Sequence, residues 1–154
     1  MAVNTQLESR KRRPECIEEV VFLELCRTTD ILSRRVSEVL KAEELSPNQY
    51  NVLRILRGAP DGLPCGEIGT RMITRDPDIT RLLDRLEKRG LIRRSREARD
   101  RRMVMASISE AGMDLLARLD EPVREAHRRQ LGHLGRERLG ALKELLQIAR
   151  EKAG

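Results

Sequence analysis

The sequence predicts a mainly α fold carrying one small β-hairpin. Three observations point there. Apolar residues recur at steps of three, four and seven through most of the 154 residues, which is the helical period. One stretch, near residues 91–108, changes to short runs flanking a charged tip, as a hairpin requires. Helix-start signals of the Ser/Asp-plus-Pro type recur between the apolar stripes.

Residues 1–13 are polar and end in Arg10-Lys11-Arg12-Arg13, a tail expected to be disordered. Pro14 opens a long helical pattern in which Ile17, Val21, Leu25, Leu32, Val36 and Val39 form one stripe. A helix over 15–43 would be about 45 Å long, too long to bury against a small globule. It calls for a partner chain. Ser46-Pro47-Asn48-Gln49 has the residues of a capping box, Ser at N-cap, Pro at N1 and Gln at N3. That helix carries Tyr50, Val52, Leu53 and Leu56 and stops at Gly58-Ala59-Pro60-Asp61-Gly62. A short helix follows over Pro64–Met72, containing Gly66 and Gly69. Glycines in a helix that still forms suggest close approach by a neighbouring helix.

After the turn Ile73-Thr74-Arg75, Asp76 is expected to cap the next helix, with Pro77 at N1. Ile79, Leu82, Leu83 and Leu86 make its core stripe, and Gly90 should end it in the left-handed conformation. Two strands then flank the tip Arg96–Arg101, and Ser109 caps a helix running through Leu115, Leu116 and Leu119 towards Leu131. Pro122 should kink or break it. Gly132 and Gly135 set off a last helix with Leu139, Leu142, Leu145, Leu146 and Ile148.

Composition excludes several classes. No apolar run approaches the ~18 residues of a membrane span, and residues 1–13 contain no signal-peptide stretch, so a cytoplasmic protein without membrane contact is expected. Three cysteines at irregular spacing make no disulfide framework. With Phe22 and Tyr50 as the only aromatics, stacking platforms for single-stranded nucleic acid are missing. His127 and His133 are six apart, with no cysteine or acid to complete a metal-ligand pattern. No nucleophile elbow or phosphate-cradling loop is present. Neither an enzyme, nor a metal, nor a cofactor is expected.

The charge is concentrated. Residues 71–102 hold twelve Lys/Arg against six acids, a surplus of +6 that equals the net charge of the whole chain, while the remainder balances at 19 against 19. Arg outnumbers Lys 26 to 5 throughout, so a merely solvated basic face is the plain alternative to a polyanion site. Organisation decides between them. Two short helices, a tight turn and a charged hairpin describe a winged helix-turn-helix with a double-stranded DNA partner. The second helix, residues 76–90, would lie in the major groove. Its outer face presents Pro77, Thr80, Arg81, Asp84, Arg85 and Lys88, with Pro77, Asp78, Thr80 and Arg81 deepest. Arg85 and Lys88 lie further along and suit phosphates. Asp84 is better paired with Lys88 or a wing arginine than with a base. Arg75 in the turn and Arg96, Arg99, Arg101 and Arg102 in the 92–108 wing complete the DNA-binding set.

The run Ile79-Thr80-Arg81-Leu82-Leu83-Asp84-Arg85-Leu86-Glu87-Lys88-Arg89-Gly90-Leu91-Ile92 resembles the multiple-antibiotic-resistance regulator (MarR) family. So does Asp100-Arg101-Arg102 followed by Ile108-Ser109-Glu110-Ala111-Gly112. The resemblance extends over roughly 15–150. Ile68-Gly69 stands where the family usually has Leu-Ala, Ser109 replaces the more usual Thr, and the wing tip lacks the common Pro. The resemblance implies that Arg102 reaches the minor groove and that Asp100 orients it or a neighbouring arginine. It also implies a homodimer built by the first helix and the last two. The chain then divides into a tail (1–13), an N-terminal dimerisation helix (14–45), the winged region (46–109) and C-terminal dimerisation helices (110–154). A two-fold dimer would read a pseudo-palindromic operator with half-sites about 10–10.5 bp apart.

Family members commonly respond to small aromatic or phenolic ligands or to cysteine oxidation. The resemblance therefore implies a repressor released by a small-molecule effector of unknown identity, in a pocket between dimerisation helices and winged module. Here that pocket would be aliphatic with an arginine for an anion. Of the redox candidates Cys16, Cys26 and Cys65, Cys65 falls in the first turn of its helix, where the dipole would lower its pKa, yet on a core-facing position. Where the family's peroxide sensors place their cysteine this chain has Phe22, and no tyrosine lies nearby. Small buried hydrophobes are the expected role of all three. Two other functions remain as alternatives: a winged-helix protein-interaction module that does not read DNA, and a cysteine-based redox-responsive regulator.

Overall fold

The computed structural model describes residues 16–96 and 102–153. Among the described residues six helices and three strands follow one another as α1 (Ile17–Lys41), α2 (Pro47–Arg57), β1 (Leu63–Pro64), α3 (Cys65–Arg71), α4 (Ile79–Lys88), β2 (Ile92–Arg96), β3 (Val104–Ile108), α5 (Glu110–Leu131) and α6 (Gly135–Ala153). A 3-10 turn over Gly132–Leu134 joins the last two helices. The chain divides into two compact units inside α1, after Ser33.

In the first unit α1 presents Ile17, Val21 and Leu25 of the expected stripe to solvent, with Phe22 and Ile31 beside them, whereas Val36 and Val39, at the other end of the stripe, pack against the core of the second unit. The second unit holds the core. Leu40, Val52, Leu53, Leu56, Ile68, Leu83, Leu86, Ile92, Ala106 and Leu116 are essentially inaccessible there. Burying such side chains is worth about 1.5–3 kcal/mol each, and aliphatic packing suffices without Trp.

Local signals set the helix ends. The Ser46 hydroxyl accepts from the Gln49 N–H at 3.1 Å while the Gln49 side chain accepts from the Ser46 N–H at 2.9 Å, the complete capping box. At the end of α4, the Gly90 N–H donates to the Glu87 carbonyl and the Leu91 N–H to the Leu86 carbonyl, with Gly90 at φ 71°. That pair of bonds is a Schellman ending, and it turns the chain directly into β2.

The sheet corrects the two-strand expectation. β1 pairs with β3 (Leu63 opposite Ala106, Pro64 opposite Met105), giving the order β1-β3-β2. Pro64, expected in the short helix, is instead on an edge strand, where its missing N–H costs nothing. Pro122 does not interrupt α5. Buried Leu115, Leu116 and Leu119 before it and Val123 and Ala126 after it seat the helix on the core from both sides of the lost hydrogen bond. The glycine expectation holds only weakly. A side chain at Gly69 would meet Ile79 of α4 at 4.0 Å, ordinary contact, whereas Gly66 faces open space.

An ion pair ties α2 to α5: Arg57 donates from one nitrogen to both carboxylate oxygens of Asp120, at 2.9 and 2.8 Å. The Arg57 hydrogen bond holds the Asp120 pKa below the usual carboxylate value. A depressed carboxylate adds stability above its unfolded pKa, about 4, and that stability disappears as pH falls through the lower folded value. The urea midpoint should therefore drop between about pH 5 and pH 3, and Asp120→Asn should flatten that fall. An identical pH profile for the two proteins would show that the pair adds nothing.

Candidate nucleic-acid interface

The turn between α3 and α4 is held from below by α2. Asn48 donates to Asp76 at 2.8 Å, and the Asn51 side-chain oxygen accepts the Ile73 N–H at 2.8 Å. These two asparagines, one helical turn apart, pin both halves of the turn. Sequence reading missed them, because their partners lie 28 and 22 residues away.

The start of α4 also differs from expectation. Asp76 does not cap it. Its carboxylate accepts from the Asp78 N–H at 2.9 Å, and Asp78 in turn caps the helix by accepting from the Arg81 N–H at 3.0 Å. Of two acids two residues apart, the first is engaged by Asn48, so the helix begins at Ile79 and Pro77 stays in the turn. The Asp78 and Asn48 hydrogen bonds hold the Asp76 pKa below its ordinary value.

With Leu82, Leu83 and Leu86 buried, Thr80, Arg81, Asp84, Arg85 and Lys88 share the outward face of α4 and are all exposed. Arg75, Pro77 and Asp78 are exposed in the turn before it. Arg93 and Arg96 of β2 and Arg102 ahead of β3 are exposed as well. Of the wing-tip candidates, Arg99, Asp100 and Arg101 lie outside the described residues.

Asp84 pairs with a strand arginine, Arg94. Arg94 is also tied to Glu87 of α4: its backbone N–H donates at 3.1 Å to one carboxylate oxygen, and its side chain donates at 2.9 and 2.6 Å to the other. These bonds hold Glu87 below the ordinary glutamate pKa. Neither Arg94 nor Glu87 stood out in the sequence, since one lies on a strand and the other on a helix, and no single periodicity relates the two. Arg89, the C-cap of α4, donates to the backbone carbonyls of Glu44 and Glu43 at 2.8 and 3.0 Å.

Residues 45–104, the segment containing this turn, α4 and the first strand of the wing, match the model of the MarR family. Over 141 residues the chain is 30% identical to the HTH-type transcriptional regulator PecS of Dickeya dadantii, covering 89% of this chain and 85% of that protein. The chain belongs to the MarR family. Among solved structures, this MarR-family chain is 41% identical to a MarR transcription factor from Planctomyces limnophilus, with TM-score 0.67 over 89% of this chain and 99% of that one. It is 30% identical to the transcriptional repressor CouR bound to a 23-mer DNA duplex, with TM-score 0.78 over 87% and 94% of the two chains. These relatives are named as transcription regulators, not as enzymes. Among the described residues no helix is long and apolar enough to cross a membrane, and no group of His, Cys, Asp and Glu could hold a metal ion. His127 and His133 are exposed.

The cysteines depart from the buried role expected of them. Cys16 and Cys26 are exposed, Cys16 donating to Glu18 at 3.1 Å, and only Cys65 is partly buried. The suggested lowering of the Cys65 pKa is reversed, because burial of the thiol outweighs the attraction of Arg94. A cleft of about 430 Å³ opens between the second half of α1 and α5, lined by Arg35, Glu38, Val39, Pro122, Glu125, Ala126 and Arg129. It differs from the pocket expected in place, since none of its lining residues belongs to the winged region. It is also more polar than the aliphatic pocket expected, its arginines being paired, Arg35 with Glu38 at 3.1 Å and Arg129 with Glu125 at 2.9 Å.

Proposed function

We propose that this MarR-family regulator is a homodimeric, sequence-specific repressor of the cytoplasm that reads duplex DNA and is released by a small-molecule effector. The observation that carries the reading is the division of α4. One face is sealed by Leu82, Leu83 and Leu86, and the other offers Thr80, Arg81, Arg85 and Lys88. Such a helix suits the major groove, where an arginine can fork onto a guanine edge, with the 92–108 wing in the adjacent minor groove. Residues 46–109 form the DNA-reading region. Residues 14–45 and 110–154 form the dimer scaffold, a reading supported by exposed Ile17, Val21 and Phe22 on α1 and Leu145 and Ile148 on α6. Two-fold symmetry then asks for half-sites about 10–10.5 bp apart. The α1–α5 cleft is of a size that takes small ligands and is the place assigned to the effector.

Selection of bound fragments from the source genome tests the whole reading. Short pseudo-palindromes should be enriched, and failure to retain any duplex at low salt would refute it in favour of a protein-interaction module. Peroxide-induced release that vanishes when all three cysteines become Ser would instead establish the redox alternative. On the recovered operator, Arg81→Ala should cost about 1–3 kcal/mol and relax base preference, whereas Arg85→Ala should weaken all operator variants alike. Identical behaviour of the two variants across those sequences would abolish the division into reader and phosphate anchor.

A further inference from the structure

We propose that Arg94 is a positioning residue for DNA recognition, setting the wing at a fixed angle to α4 through Glu87 and Asp84 rather than touching DNA. The inference rests on the reading above, in which α4 and the wing enter neighbouring grooves together.

β2 alternates, so Arg94 falls on the inner face with buried Ile92, while Arg93 is exposed. The Arg94 side chain is 22% exposed in a region otherwise rich in solvent-facing arginines. Its guanidinium is directed at two carboxylates on α4 instead of outward. The contact also includes main chain, because the Arg94 N–H donates to the same glutamate that receives its side chain. Glu87 therefore grips the strand both through its main chain and through its side chain.

The apolar seam beneath, Leu83 and Leu86 of α4 with Ile92, is non-directional and tolerates sliding. A charge-assisted fork does not. Lysine could supply the charge but not the planar fork. Asp84 is thereby occupied on the outer face of α4, leaving Arg81 and Arg85 as the cations beside it.

The test uses the full-length protein and the fragment bound most tightly in the genomic selection. Guanine N7 methylation reports the major groove, hydroxyl-radical cleavage reports the minor groove, and thermal melting monitors the fold. Arg94→Lys and Glu87→Gln should each weaken binding about tenfold, keep guanine protection and lose minor-groove protection. Combined with Arg96→Ala in the wing, Arg94→Lys should add little further loss, because both act through the same contact.

Full additivity with Arg96→Ala, or loss of both footprints in equal proportion, would overturn the positioning role. So would unfolding of both clamp variants, which would make the contact a requirement of the fold. Wild-type protein leaving no footprint on any fragment would instead defeat the DNA reading on which the proposal stands.

Discussion

Raising salt from 50 to 200 mM should weaken operator binding about a thousandfold. The expectation follows from where the cations stand. Arg75, Arg81, Arg85, Lys88, Arg93 and Arg96 are exposed on one turn, helix and strand, and the proposed two-fold dimer would present the set twice. If only three per protomer meet phosphates, six are neutralised and the log–log slope is near −5. Arg94 and Arg89 do not enter the count, since one is held by carboxylates and the other by carbonyls. Titration of the binding constant over that salt range checks it. A slope shallower than about −2 would mean that the concentrated charge is a solvated surface after all.

Gly112→Ala should destabilise the fold by about 2–3 kcal/mol, although helix propensity alone predicts a gain of about 0.5–1 kcal/mol. Gly112 lies in the first turn of α5, directly against the end of the α4–β2 connection. A Cβ there would stand 2.3 Å from the Leu91 carbonyl oxygen and 2.8 Å from Ile108. The obstacle on the first side is backbone, which cannot rotate out of the way. Relief requires moving the start of α5, which would strain two bonds of Ser109: its hydroxyl accepts the Gly112 N–H at 3.1 Å and donates to the Gly90 carbonyl at 2.6 Å. Gly66→Ala, in a helix with nothing within 4 Å of the new methyl, is the opposite control and should stabilise by about 0.5 kcal/mol. Urea unfolding of both variants decides the point. A Gly112→Ala protein as stable as the parent would show that the seam can open without cost.

What was legible in the sequence was whatever nearby residues decide together. Ser46 with Gln49, the stripe Leu82, Leu83 and Leu86, and Gly90 beside Leu91 each complete their structure within a few positions. The same holds for the cap at Ser109. The illegible features need partners far along the chain or too few residues to make a pattern. β1 has two residues, less than one full alternation. The start of α4 depends on which of Asp76 and Asp78 is already engaged, and Asn48, 28 residues earlier, makes that choice. At the site, the exposed cations of α4 follow from helical geometry once the core face is known. The Arg94–Glu87 contact follows only after the Schellman turn has folded β2 back along α4.

One consequence concerns how α1 and α4 end. The last carbonyls of α1 are taken within the corner itself, Leu40 accepting from the Glu43 and Leu45 N–H groups and Lys41 from the Glu44 N–H, while the carbonyls of Glu43 and Glu44 accept from Arg89, the C-cap residue of α4. The corner after α1 is thus tied to the residue that ends α4. Neither the corner nor α4 can gain or lose a residue alone, because a step of about 100° around a helix axis would carry guanidinium and carbonyls out of reach. Insertions and deletions in the α1–α2 corner are therefore constrained by a side chain some 45 residues downstream, and the length of that corner is part of the specification of the reading helix.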